Sequence, residues 1–154
     1  MDGSSLFRHF PNKGAILHAA LDRFEAVLTE SFPDDEPSWD SLRSFFLRRL
    51  SLVQAHPEVI RLAFNQHLLE VTGESEHVDR VRDVVARSVR FIRACLEHAQ
   101  SAGVVSNHVP PEAQVWVVTG FLRGAALGSM QPRPDPEQTW TWLASTLRAQ
   151  GHAS

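Results

Sequence analysis

Apolar residues recur at intervals of three and four along nearly the whole chain, and no segment alternates with a period of two. That pattern predicts an all-α protein of about seven helices, punctuated by prolines and short polar stretches. Asp2 stands where a cap is expected for a very short first helix through about His9, which ends near the Pro11-Asn12 turn. Asn12 then caps a second helix, whose Ile16, Leu17, Ala20, Leu21, Phe24, Val27 and Leu28 share one broad face and which fades at Phe32-Pro33. Ser38 is the expected cap of a third helix, with Trp39, Leu42, Phe45, Phe46, Leu50 and Val53 turned inward and His56-Pro57 closing it.

Pro57 suits a first helical position, so a fourth helix is expected to run to Glu70 with Val59, Ile60, Ala63, Phe64 and Leu68 facing the core. After the Thr72-Gly73 break, a long fifth helix is expected from about Ser75 to Ala102, with Val78, Val81, Val85, Ile92, Leu96 and Ala99 on its apolar side and Gly103 beyond its end. Pro110-Pro111 opens a sixth helix reaching about Met130. Asp135 caps the last, in which Pro136 takes the first turn and Trp140, Leu143 and Leu147 form the stripe before Gly151.

Composition narrows the function classes. A chain of 154 residues with 43% hydrophobic content is large enough for a real core. A net charge of -3 argues against a surface coated in basic residues but leaves room for a local cationic patch. Cys95 is the single cysteine, so neither an intrachain disulfide nor a cysteine zinc site is expected, and a reducing cytoplasmic setting fits best. No secretory signal pattern opens the chain. The most apolar segment, Ala113 to Met130, carries Gln114, Arg123 and three glycines, which points to a packed helix rather than a membrane span.

Catalytic patterns are weak. His67 and Glu70 lie three apart, and Glu97 adjoins His98, but neither pair extends to a metal-ligand set. No nucleophile turn frames a serine and no glycine-rich phosphate loop follows a strand, so neither an enzyme nor a cofactor is expected.

The stretch Ser5-Leu6-Phe7-Arg8-His9-Phe10-Pro11-Asn12-Lys13-Gly14-Ala15-Ile16-Leu17 resembles the end of the helix-turn-helix of TetR-family transcriptional regulators and the start of the helix that follows it. Leu6, Phe7, His9, Phe10, Lys13, Ile16 and Leu17 occupy the family's positions. A short groove-reading helix needs apolar residues to anchor it, which Leu6 and Phe10 supply, while Gly3, Ser4, Phe7, Arg8 and His9 are left for the DNA side. The resemblance implies that Phe7 and Lys13 touch the phosphate backbone, although Phe7 lacks the tyrosine hydroxyl often found there. Lys13 near a helix N-terminus suits a phosphate.

The resemblance also implies two parts. Residues 1–32 are the C-terminal portion of the DNA-binding region, and 33–154 an effector-binding and dimerisation domain. The helices that precede a recognition helix in the family do not precede Met1 here, from which a late-assigned start, a fragment or a natural truncation is expected. The expected function is a ligand-responsive regulator, a repressor released from its operator by a small, largely apolar effector. The alternative is a helical dimerisation or small-molecule-binding module without DNA binding of its own. Phe45, Phe46, Val53, Phe64, His67, Phe91, Cys95 and Trp116 are the candidate lining of the effector pocket. Gly120, Gly124 and Gly128, spaced by four, make a smooth stripe that calls for close approach by another helix. With Trp140, Leu143 and Leu147 they are the candidate homodimer interface. The expected partners are therefore operator DNA, if the helix-turn-helix is complete in the full protein, a small-molecule effector and a second copy, with no membrane.

Overall fold

A computed structural model describes residues 12–63, 65, 75–127 and 133–149. Among them are six helices: α1 Lys13–Glu30, α2 Trp39–Ala55, α3 Pro57–Ala63, α4 Ser75–Ser101, α5 Pro111–Leu127 and α6 Pro136–Leu147. The expected count of about seven is not matched. The short helix expected at 2–9 lies outside the described residues, and so does the 66–70 stretch into which the Pro57 helix is expected to continue. The only β pairing among the described residues is a single antiparallel bridge between Val105 and Arg148.

Side-chain caps set where the helices begin. Asn12 Oδ1 accepts the amide of Ala15 at 2.8 Å, satisfying one of the free N–H groups of α1. At α2, Ser38 Oγ accepts from the Ser41 amide at 3.1 Å while Ser41 Oγ accepts from the Ser38 amide at 2.6 Å, a reciprocal box in which serine takes the place usual for Glu or Gln. Asp135 accepts the Gln138 amide at 3.0 Å ahead of α6. At the other end of α4, Gly103 adopts φ 75°, where a β-carbon would be strained. The turn it makes lets Val104 N–H reach the Ala99 carbonyl and Gly103 N–H reach that of Gln100.

Helix α2 is the hub, packing on α1, α4, α5 and α6. Leu42, Phe45, Phe46 and Leu50 are fully buried on it. Phe45 stacks in a tilted arrangement with Phe32 and Phe91, at ring separations of 5.3 and 5.1 Å. On its other flank Trp39 and Phe46 meet Trp140 of α6 at 5.0 and 5.5 Å. The α6 stripe of Trp140, Leu143 and Leu147 is thus buried inside the subunit. Its C-terminal end is pinned by the Ser106 amide to the Leu147 carbonyl, and by the Ala149 amide to that of Val104. Across α4 and α5, Gln100 and the buried Gln114 both donate to the Ser106 carbonyl, closing the loop between those helices.

Leu143 has no exposed surface in the single subunit. Leu143→Ala is therefore expected to cost about 2–5 kcal/mol of folding stability by cavity formation. Chemical denaturation at several protein concentrations checks this: the loss should be the same at each, whereas a loss that grows on dilution would place Leu143 between subunits.

Candidate functional site

Phe45, Arg49 and Val53 follow one another at intervals of four, so the helical repeat carries a guanidinium into the same buried face as the aromatic and aliphatic side chains around it. Arg49 is only 6% exposed. Its Nε donates to Ser31 Oγ at 2.6 Å, Nη2 to the Leu28 carbonyl at 3.2 Å and Nη1 to Ser88 Oγ at 3.1 Å. Its carbon centre lies 4.5 Å from the ring centroid of Phe45 and 5.4 Å from that of Phe32. Leu28 and Ser31 form the C-terminal end of α1, so Arg49 caps that helix from α2 and ties both to α4 through Ser88. Burial first, and the like charge of Arg87 second, pull the guanidinium down to about 9, which leaves it cationic at neutral pH.

Beside Arg49 lies a cavity of about 90 Å³. Helix α1 contributes Phe24 and Leu28, α2 Arg49 and Val53, and α3 Ile60. The opposite wall is Val85, Ser88, Val89 and Ile92 of α4 with Thr119, Leu122, Arg123 and Ala126 of α5. Five of the six helices thus meet there, α1 among them. The walls are mostly aliphatic; among the described residues the two charged ones in the lining, Arg49 and Arg123, are both cationic.

A second tie holds the middle of α1 to α4. Arg80 Nη2 donates to Asp22 Oδ1 at 2.6 Å and Nε to Glu25 Oε1 at 2.9 Å. These bonds hold Arg80 protonated well above its ordinary range, with Glu25 the larger influence. The hydrogen bond from Arg80 likewise holds the Asp22 carboxyl below the usual aspartate range, against a smaller opposing effect of burial.

Of the residues singled out from the sequence for the effector pocket, Val53 lines this cavity. Phe45, Phe46 and Cys95 are fully buried and Phe91 half-buried, all in packed core rather than on the cavity wall. Cys95 Sγ lies 3.6 Å from Ser41 Oγ, and burial pushes its thiol up, so it stays a protonated core group. Trp116 points to solvent, 77% exposed. Phe64 and His67 lie outside the described residues, as do Gly3, Ser4, Phe7, Arg8 and His9 of the DNA-binding set and Gly128 of the glycine stripe. Lys13 opens α1. Gly120 and Gly124 lie on an exposed face of α5, and a β-carbon at either would meet open space.

Sequence reasoning missed most of the cavity wall, including Arg49. The signal for Arg49 was the register itself: a charged residue four positions from Phe45 and from Val53, on a stripe otherwise apolar. Among the described residues no group of three His, Cys, Asp or Glu side chains is placed to hold a metal ion, and no helix is long and apolar enough to cross a membrane.

No family model matches the chain, and no solved structure matches it. Over 122 residues it is 28% identical to the HTH-type transcriptional repressor SCO4008 of Streptomyces coelicolor. That alignment covers 79% of this chain and 60% of the repressor, so the chain spans about 60% of the length of the curated relative it matches.

The Arg80 tie has a testable pH signature. Because the folded carboxyl of Asp22 is held below its unfolded value, its contribution is fully present above the ordinary aspartate range and is lost as pH falls below about 4. Both carboxylates are partly exposed and screened, so Asp22→Asn is expected to cost at most about 1 kcal/mol at neutral pH. Denaturation midpoints against pH should show wild type and variant converging in acid. A gap that persists there would assign the loss to packing instead.

Proposed function

We propose that this chain is the sensing and dimerising part of a DNA-binding transcription regulator, in which a small ligand in the α1–α5 cavity alters how the N-terminal segment meets its operator. The observation that carries the reading is that α1, whose first residues Lys13 to Leu17 end the Ser5–Leu17 motif, supplies Phe24 and Leu28 to the cavity wall. A ligand lodged there touches both the sensor helices and the helix on which the DNA-binding segment stands. If it favours one placement of α1 over another, it shifts the equilibrium between DNA-competent and released states by its difference in affinity for the two.

The motif's resemblance to TetR-family regulators supports DNA binding through Gly3, Ser4, Phe7, Arg8, His9 and Lys13, and the likeness to a helix-turn-helix repressor supports a repressing role. Homodimerisation finds support on the outer face of α5 and α6. Trp116, Val117, Gly120 and Gly124 are exposed on α5, and Trp142 is 52% exposed on α6. On α5 the spacing of Trp116, Gly120 and Gly124 puts an exposed indole on the same helix face as glycines that leave the backbone bare, which makes that face apolar and closely approachable. Each glycine costs about 1 kcal/mol of helix stability relative to alanine, a cost that close packing of a second copy offsets. Trp140, Leu143 and Leu147 back this face from within: their side chains are engaged with the subunit's own core. A pair of such subunits presents two recognition segments, which must lie about 34–36 Å apart to enter successive major grooves.

Sedimentation of the chain at micromolar concentration is expected to show a dimer, and Trp116→Glu or Gly124→Leu to give folded monomers, because Trp116 is mostly exposed in its own subunit and a β-carbon at Gly124 meets open space. A monomeric wild type would remove the interface. For DNA, the full gene product is titrated with salt against an operator selected from a random-sequence pool and against scrambled DNA. Lys13→Ala should weaken both and lower the salt slope by about one charge per subunit. An unchanged slope would take Lys13 off the phosphates, and failure to select any operator would overturn the regulator reading.

A further inference from the structure

The Arg49 guanidinium is buried in the protein interior with no carboxylate partner among the described residues. A buried charge is ordinarily paired, because leaving it unpaired costs several kcal/mol. Here the acceptors are two hydroxyls and one carbonyl, and no carboxylate of the described residues lies within ion-pair distance. Those three bonds engage three of the five N–H groups that an arginine offers. The C-terminal end of α1 offers the equivalent of about half a negative charge, so a substantial part of the positive charge is uncompensated. Arg87 adds to it beside the same Phe32 ring, its guanidinium carbon 4.2 Å from the ring centroid. The uncompensated charge borders empty space: Arg49 and Ser88 line the cavity, Arg123 lines its more exposed edge, and no acidic residue among the described residues lines it.

We infer that the cavity takes a small apolar molecule bearing a carboxylate, seated with its hydrocarbon against Val89, Ile92 and Leu122 and its carboxylate on Arg49. The inference rests on the reading of this cavity as the effector site and names the class of effector. A guanidinium pairs with a carboxylate through parallel N–H bonds, stronger than bonds to neutral acceptors. In the same seat a neutral ligand leaves the cation as it was. The volume sets the size. About 90 Å³ is well under the roughly 300–1,000 Å³ of drug-sized ligand pockets, so the ligand is a single ring or a short branched chain, admitted with some yielding of the α5 edge at Arg123 and Ala126.

The test is calorimetric titration of the chain with benzoate and 3-methylbutanoate, each against its uncharged amide. The carboxylates are expected to bind about tenfold to a hundredfold tighter than the amides, the range that a charge-assisted bond supplies. Val89→Phe, which fills the cavity, should abolish binding of both, excluding attachment to surface arginines. Arg49→Lys should keep the preference and Arg49→Met should erase it while amide binding survives. If the methionine variant does not fold, the wild-type comparison and the cavity-filling variant decide the matter alone. Equal affinity for acid and amide would overturn the anion inference and leave the cavity reading standing. Binding of neither, or binding that Val89→Phe does not disturb, would overturn both.

Discussion

One guanidinium joins the parts of this molecule that must act together. Arg49 closes the last turn of α1, stands on the central helix α2 and bonds to the long helix α4 through Ser88. Its neighbours on α2, Phe45, Phe46 and Leu50, hold the core, so the backbone that carries Arg49 has little freedom to withdraw it. An interior cation held only by neutral groups is a strained compromise between desolvation and hydrogen bonding. It survives because α1 ends where its carbonyls can receive it. The arrangement also makes the end of α1 sensitive to anything that competes for, or reinforces, the same guanidinium.

In the proposed function, that sensitivity is the route by which a site inside the bundle reaches the N-terminal segment. Helix α1 is held at two places: to α2 and α4 by Arg49 near its C-terminus, and to α4 by Arg80 through Asp22 and Glu25. In the same stretch of α1, Phe24 and Leu28 form part of the cavity wall. A ligand that draws on Arg49 changes one tie while the other persists. The exposed residues of α5 and α6 are on other elements, so the proposed docking of a second copy there would leave α1 free of it.

Much of the helical layout was legible because it is written in local chemistry. Asn12, Ser38 and Asp135 cap where side-chain oxygens before an apolar repeat predict, and Gly103 ends α4 by a left-handed turn. The site was less legible. Aromatics were expected to line it, yet Phe45 and Phe46 fill space completely, while the cavity is bordered by the smaller Val85, Val89 and Ala126, whose spacing marks a buried face without marking a void. Helix α5 is apolar around most of its circumference, so its periodicity does not say which side faces water, and Trp116 is the residue on which that ambiguity fell. For α6 the stripe of Trp140, Leu143 and Leu147 was plain, but a stripe does not name its partner; Trp39 and Phe46 of the same chain supply it.

The central claim is that occupancy of the cavity is felt by α1. Amide hydrogen exchange, followed residue by residue with and without saturating benzoate, measures this most directly. The account predicts altered protection at the C-terminal turn of α1, from Phe24 to Ser31, together with the cavity-lining turns of α4 and α5. Changes confined to α4 and α5, with α1 exchanging as before, would contradict it.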